Sequence, residues 1–301
     1  MKCKFVLILF FIGRLAHANT LVLPNDSVKD LRTRRVVFAT GSVATAAGSL
    51  VFLNKAWYKP YATAGFHFFN DNSEWLQMDK VGHSFSCYQV GRLMMQSMQW
   101  AGFSEKQSTL IGGTSGLMYM TVIEIMDGRS AGWGFSWGDM CANTLGSALV
   151  VSQQLCWKEQ RVSLKFSFHQ TNLWQYRPNL LGSTLPQQVL KDYNGQTYWL
   201  SLNIRSFFQK SNFPSWINLA LGYGANNMIG GNNYVYVTRS GEVIGNDRYR
   251  RYLLSLDVDL TKIKTRSRFL KAVFSAVNCV KIPLPALELS RGKLGGYAIY
   301  Y

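Results

Sequence analysis

The chain has 301 residues, enough for one large domain or two modest ones. Its formal net charge of +16 indicates an anionic partner, either membrane lipid or an anionic envelope polymer. Only 16% of the residues are charged while 48% are hydrophobic, and no zinc finger, helix-turn-helix or Walker pattern occurs. This composition excludes the usual classes of nucleic-acid-binding protein.

The N-terminus has the pattern of a secretory signal peptide. Lys2 and Lys4 precede a short apolar run, and the sequence AHA at residues 16–18 forms an A-x-A cleavage site. We therefore expect residues 1–18 to be removed on export. The mature protein is expected in the cell envelope, associated with the periplasmic side of a membrane, with the outer membrane or with the inner membrane.

The apolar patterns of residues 19–158 predict a bundle of about four apolar helices, in or against a membrane. The first, at residues 36–53, is uncharged and follows the basic run at residues 32–35, so it resembles a short membrane span. A buried helix of a soluble bundle would have the same pattern. After an aromatic segment, the other three helices are predicted at residues 79–100, 107–126 and 137–157.

Beyond residue 158 the pattern changes to apolar and polar residues that alternate between Gly and Asn turns. This alternation predicts a β-rich C-terminal region over residues 159–301. The whole chain is therefore predicted to be an α+β protein, helical first and β-rich second. The segments that alternate most clearly are 162–168, 198–204, 216–223, 234–238, 251–260 and 296–301.

Seven polar residues stand in three short motifs at the ends of the predicted apolar helices. Asp79 and His83 are spaced i and i+4, as are Asp139 and Asn143, so each pair lies on one helix face. An ionisable side chain is costly to bury unless it is paired or bound to a metal, so these residues indicate a structural network or a site. The candidate catalytic residues are Asp79, His83, Glu124, Asp127, Arg129, Asp139 and Asn143.

Three kinds of centre fit these motifs if the helix ends converge. An Asp–His pair suits acid–base catalysis, and a closed network with Arg129 neutralising a carboxylate suits a structural role. Asp139 also has a simpler interpretation as the N-cap of the fourth helix. A divalent metal ion is the third possibility, with candidate ligands His83, Glu124, Asp127 and Asp139.

The motifs also carry a family resemblance. The strings DKVGHSFSCYQVGRL and GLMYMTVIEIMDGRSAGWGFSWGDMCANTLGSAL resemble the VanZ-like pattern of a D-K-x-x-H helix start, an Arg-Ser turn and D-x-x-x-N-x-x-G. Over residues 66–150 the chain is more closely similar to a YfiM-type family, a domain of unknown function described as predicted periplasmic lipoproteins. The resemblance implies an exported envelope protein and no assigned reaction. The chain departs from it by lacking a lipobox cysteine and by adding the carboxylate of Asp127.

Three functions from different classes therefore stand as hypotheses. The first is a membrane-associated envelope protein whose polar cluster is structural and whose basic surface meets lipid or wall polymer. The second is a metal-dependent, membrane-proximal hydrolase of a lipid or phosphoester. The third is an outer-membrane β-barrel-associated protein, which the alternating segments and the aromatic C-terminus at residues 297–301 favour.

Overall fold

The computed structural model describes residues 28–59, 61–210 and 212–301, so the predicted signal peptide lies outside the described residues. The described chain forms two units. Unit 1 comprises the described part of Met1–Asp71 together with Ser86–Glu159 and Thr265–Ala276, and it is helical. Unit 2 is a β-sheet unit made of Asn72–Phe85, Gln160–Lys264 and Val277–Tyr301. The α+β prediction is confirmed.

Four long helices form most of the N-terminal half. The fourth helix follows the N-cap Ser136, whose side chain accepts a hydrogen bond from the backbone N–H of Asp139. It ends before Lys158, whose backbone has the left-handed conformation. A π-helical turn, Asn54–Tyr58, follows the first helix, and Glu105–Gln107 and a second π turn, Ser108–Gly112, precede the third. The helices are α1 Val28–Leu53, α2 Met78–Trp100, α3 Gly113–Asp127 and α4 Trp137–Trp157.

Glycines let α2 and α3 pack with their backbones in contact. A Cβ atom on Gly116 would lie 2.1 Å from the carbonyl oxygen of Cys87, and one on Gly91 would lie 2.5 Å from that of Gly113. No side chain fits at these separations, so only glycine permits this approach.

The prediction of four apolar helices is wrong in number. Among the described residues, two helices are long and apolar enough to cross a bilayer, Asp30–Leu53 and Glu105–Asp127. The other two helices carry too many polar residues for that length. In α2 these include the buried Arg92, and in α4 the buried Asn143 and Gln153.

Unit 2 contains a six-stranded, fully antiparallel sheet in the order β1-β2-β3-β6-β7-β8, with β4 and β5 forming a separate hairpin. The alternation correctly predicted a β-rich region, although β7 was not expected. The strands are β1 Val162–Phe168, β2 Gln196–Leu202, β3 Ile217–Asn226, β4 Tyr236–Val237, β5 Val243–Ile244, β6 Tyr249–Val258, β7 Leu284–Ser290 and β8 Lys293–Tyr300.

Shorter helices connect or flank these strands. Two of them, Pro178–Leu181 and α5 Leu185–Lys191, lie between β1 and β2, and Ile204–Phe207 follows β2. Helix α6, Arg268–Val277, lies between β6 and β7 in the chain and places all but its last residue in unit 1. There the guanidinium of Arg92 donates to the backbone oxygen of Ser275 at 3.0 Å.

The buried face of the sheet holds a fully buried ion pair. Lys165 Nζ lies 2.7 Å from Asp257 Oδ2, and both side chains have 0% exposure. The ammonium also donates to Asn278 Oδ1 at 3.1 Å, and the Ser201 hydroxyl donates to the same carboxylate at 2.7 Å. These contacts satisfy two charges that would otherwise be strongly unfavourable away from water.

We predict that Lys165→Met lowers the free energy of unfolding by about 3–5 kcal/mol, because it leaves the Asp257 carboxylate buried without its cation. Urea denaturation of the purified protein measures this loss. The matched control is Lys210→Met, which removes an exposed lysine of the same unit and should change stability by less than about 0.5 kcal/mol. Equal losses in the two variants would contradict the importance of the pair.

Candidate functional site

The first motif follows a turn whose backbone is left-handed at three consecutive residues. Residues 75–77 have φ angles of 48°, 50° and 64°, a region that residues other than glycine rarely adopt and that needs outside support. The sheet supplies this support. The Tyr223 hydroxyl donates to the backbone oxygen of Leu76, and Arg250 Nη2 donates to Gln77 Oε1 at 2.6 Å. The start of α2 is therefore fixed by the sheet of the same unit.

Asp79 lies at the centre of the polar group in unit 2. Its Oδ1 atom accepts a hydrogen bond from the Tyr193 hydroxyl at 2.6 Å, and its Oδ2 atom accepts one from Lys80 Nζ at 3.4 Å. His83 Nε2 lies 3.8 Å from Oδ1, on the face that the i,i+4 spacing predicts. That distance exceeds a hydrogen bond and leaves an electrostatic attraction. A carboxylate beside an imidazole and a phenol is suited to hold or transfer a proton.

Tyr198 belongs to the same surroundings and was not expected from the sequence. Burial raises the pKa of its phenol, and the charge of Asp79 raises this pKa further. Its hydroxyl donates to Gln196 Oε1 at 2.8 Å. A Cβ atom on Gly82 would lie 2.8 Å from this hydroxyl, so the glycine in the D-K-x-G-H string leaves room for it. The raised pKa keeps the phenol protonated and therefore a hydrogen-bond donor.

Ser136 organises the polar group of unit 1. Its backbone N–H donates to Glu124 Oε2 at 3.1 Å, and its hydroxyl donates to Asp71 Oδ1 at 2.6 Å. The same hydroxyl accepts from the backbone N–H of Asp139 at 3.2 Å, which makes Ser136 the N-cap of α4. Glu124, Asp139 and Asn143 are all buried. One serine thus links three acidic residues from separate parts of the chain.

The interpretation of Asp139 as an N-cap is wrong, because α4 begins at Trp137 and Ser136 holds that position. A serine three residues before an acidic residue is a known helix-start pattern, so the sequence did contain a signal for Ser136. Asp71 had no such signal, since it lies 65 residues away from its partner along the chain.

Asp127 and Arg129 have different surroundings from the buried acids. Asp127 ends α3 and accepts a hydrogen bond from Tyr58, whose phenol has a pKa raised first by burial and then by this carboxylate. The Arg129 side chain is exposed. That it neutralises Glu124 or Asp127 stays a prediction for this arginine. Its backbone oxygen accepts from the N–H of Ala64 at 2.9 Å.

The structure therefore brings the candidate residues together within two groups. Asp79 and His83 form one group in unit 2, and in unit 1 Ser136 contacts the carboxylate of Glu124 and the backbone N–H of Asp139. Buried carboxylate oxygens are ligands that Mg²⁺ or Ca²⁺ would accept. Convergence of the two groups into a single centre, and a metal ion held by His83 with the carboxylates, stay predictions.

Comparison with known proteins places the candidate residues in a recognised family region. Residues 66–154 match the model of a family described as "Predicted periplasmic lipoprotein (DUF2279)". This region includes α2, α3, residues 137–154 of α4 and all seven candidate residues. No curated protein and no solved structure is similar to the chain. The family match supports an exported protein of the cell envelope, whereas the VanZ-like and YfiM-type names remain resemblances.

We predict that Ser136→Ala lowers the free energy of unfolding by about 1–2 kcal/mol, since it removes the cap of α4 and the hydrogen-bond donor to Asp71. Thermal or chemical denaturation measures the change. Ser152→Ala, at an exposed position of the same helix, is the control and should be neutral within about 0.5 kcal/mol. A neutral Ser136→Ala would remove Ser136 from its organising role.

Proposed function

We propose that the protein is a membrane-associated component of the cell envelope and that α1 holds it at the bilayer. The observation that carries this proposal is the apolar surface of α1. Among the described residues, none in the membrane-length segment Asp30–Leu53 of this helix is buried. A soluble domain would normally bury a helix of this composition, whereas a bilayer covers it from outside.

One side of α1 touches the other helices of unit 1 and the other side is open. Ser49 shares a hydrogen bond of 2.8 Å with the Tyr119 hydroxyl, and the Phe38 ring lies 5.7 Å from that of Phe103. On the open side Val43 is 69% exposed, and a Cβ atom on Gly41 would meet nothing within 4 Å. This arrangement leaves a largely apolar stripe available for lipid, in which the exposed Thr40 donates its hydroxyl to the backbone oxygen of Val36.

The basic residues at the start of α1 fit a membrane surface. Arg32 and Arg34 lie in its first two turns together with Arg35, whose guanidinium donates to the backbone oxygen of Gly102 at 3.3 Å. Cations at the end of an apolar helix bind lipid phosphates and remain on the cytoplasmic side when the helix spans an inner membrane. The net charge of +16 also favours contact with anionic lipid or wall polymer.

The hydrolase is the second candidate function, and the Asp79–His83 pair favours it. A carboxylate 3.8 Å from an imidazole can support general acid–base chemistry near neutral pH. A lipid or phosphoester would be the substrate class, with a divalent cation held by the acidic residues. Stoichiometric metal in the purified protein, lost in His83→Ala, is the measurement that would favour this alternative over a structural cluster.

We predict that the full-length protein stays with the membrane pellet after carbonate extraction and that Val43→Asp releases much of it. A carboxylate near the centre of a membrane helix costs about 2.5–3.5 kcal/mol, so partition should fall by roughly two orders of magnitude. Fractionation with immunoblotting measures the distribution.

Ser152→Asp is the matched control, because it adds the same charge to an exposed site on another helix of unit 1. It should leave the distribution unchanged. Recovery of the unaltered protein in the salt-washed soluble fraction would contradict the proposal.

A further inference from the structure

One face of the sheet is apolar and largely open, although the other, buried face holds many polar and charged side chains. A row of leucines crosses five neighbouring strands at one level, each directly opposite the next, and all point to the same face. Its members are Leu164, Leu200, Leu221, Leu254 and Leu287.

The rows above and below the leucine row on this face are apolar or aromatic as well. Towards one end of the strands the row is Val162, Leu202, Leu219 and Leu256. Towards the other end it is Phe166, Tyr198, Tyr223 and Tyr252, continued by Leu289 and Leu294.

The opposite face is the buried one, and it carries polar and charged side chains beside an apolar cluster of Trp199, Ala220, Leu253, Ala286 and Tyr300. Besides the Lys165–Asp257 pair, Arg251 donates to Glu288 Oε2 at 2.9 Å from Nε and 2.5 Å from Nη2. Further buried polar residues of this face come from four strands: Ser163, Ser167, Thr197, Ser201, Asn218 and Ser255. In a soluble antiparallel sheet the apolar face would be the buried one.

Within unit 2, the start of α2 and the turn before it cover β1, β2 and the Tyr223 end of β3. The Phe85 ring, on the first turns of α2, lies 5.9 Å from that of Phe166 and 5.5 Å from that of Tyr198. Away from this contact, most outward apolar side chains of β3, β6, β7 and β8 are open. Their exposure is between 41% and 52% for Leu221, Tyr252, Leu254, Leu256, Leu287 and Leu289.

We infer that the apolar face of β3, β6, β7 and β8, here called the outer face, contacts the acyl chains of a lipid bilayer. This inference rests on the proposed membrane location but concerns a different element from α1. Lipid covers this apolar surface, which is too extensive for a protein exposed to water.

The dimensions of the outer face fit a bilayer. Strands β3 and β6 have 10 residues each, and a membrane-spanning strand needs about 9–11. Four successive outward positions on β6, from Tyr252 to Val258, cover about 20 Å at roughly 6.8 Å per pair of residues. This height approaches the apolar band of about 25 Å that lipid-facing sheets present.

The chemistry at one end of the outer face matches the water–lipid boundary. Tyr223 and Tyr252 stand side by side in the aromatic row, with ring centroids 5.8 Å apart. Arg250 is the next outward residue on β6, and its Nε donates to the Tyr223 hydroxyl at 3.2 Å. Tyrosines at one level, followed by a cation, are typical of the interfacial girdle of membrane sheets and suit anionic head groups.

A groove on the outer face can accommodate a lipid acyl chain. It has a volume of about 470 Å³ between neighbouring strands and is almost wholly apolar. Leu254, Leu256 and Leu287 line it together with Tyr297. Because apolar side chains dominate its lining, the groove requires only apolar contact from its occupant.

The test is vesicle flotation of the full chain with neutral phosphatidylcholine, which removes head-group charge from the comparison. Leu254→Asp places a carboxylate in the middle of the outer face. It should weaken binding about tenfold, both alone and in the Val43→Asp protein. Leu185→Asp, at a leucine of the same unit that is 54% exposed but outside the sheet, should change binding less than about twofold.

The outcomes separate this inference from the anchor proposal. If Val43→Asp binds as well as the unaltered protein while Leu254→Asp fails, α1 is not the anchor and the outer face stands. Equal binding of Leu254→Asp and Leu185→Asp overturns the inference. A lipid-free dimer, detected by light scattering and dissociated by Leu254→Asp, overturns it in favour of a second copy of the chain. Leu256→Asp repeats the test, and unchanged melting temperatures confirm that the variants fold.

Discussion

The buried Lys165–Asp257 pair is the constraint on which the interpretation of unit 2 depends. Two fully buried charges 2.7 Å apart fix which face of β1 and β6 points inward. Because side chains alternate along a strand, a shift of one residue would expose the pair and bury leucines in its place. The ion pair therefore sets the register of the apolar face as well as that of the polar face. The buried charges on one face and the exposed leucines on the other face therefore have a single cause, which is the ion pair.

The same unit also fixes the start of α2. Tyr223 and Arg250 hold the left-handed turn at residues 75–77, and Tyr193 holds Asp79. Asp79 and His83 consequently stand on a helix whose first turn is supported by hydrogen bonds from the sheet unit. In unit 1, Ser136 does the comparable work for Glu124 and Asp139. Both groups are held by residues outside the original motifs, as rigid polar centres generally are.

The sequence predicted the regular elements better than their partners. The fourth helix and β1 have the predicted bounds, since each has a strong period bounded by clear turns. Helix α1 begins at Val28, eight residues before the predicted 36, because its basic residues are compatible with a helix although they interrupt an apolar run. Strand β7 escaped prediction because Pro285 and Glu288 obscure its alternation.

The site could be predicted only in part. The i,i+4 rule placed His83 near Asp79 correctly, since local spacing determines that contact. Tyr193, Tyr198 and Asp71 could not be found, because their contacts join segments distant in the chain. The polarity of the sheet was readable in principle, as Lys165 and Asp257 both alternate with leucine or valine neighbours. The pairing between strands decides whether the polar or the apolar residues of a strand face inward. No single segment of the sequence encodes that pairing.

The central claim is that the apolar residues of the sheet, and not its charged residues, face lipid. Photolabelling of the unaltered protein in phosphatidylcholine vesicles that carry a diazirine in the acyl chain tests it most directly, with the labelled positions mapped by mass spectrometry. The account predicts alternate labelling along β6, on Tyr252, Leu254 and Leu256 and not on Leu253, Ser255 or Asp257. Labelling confined to α1, or spread equally over both faces of β6, would contradict it.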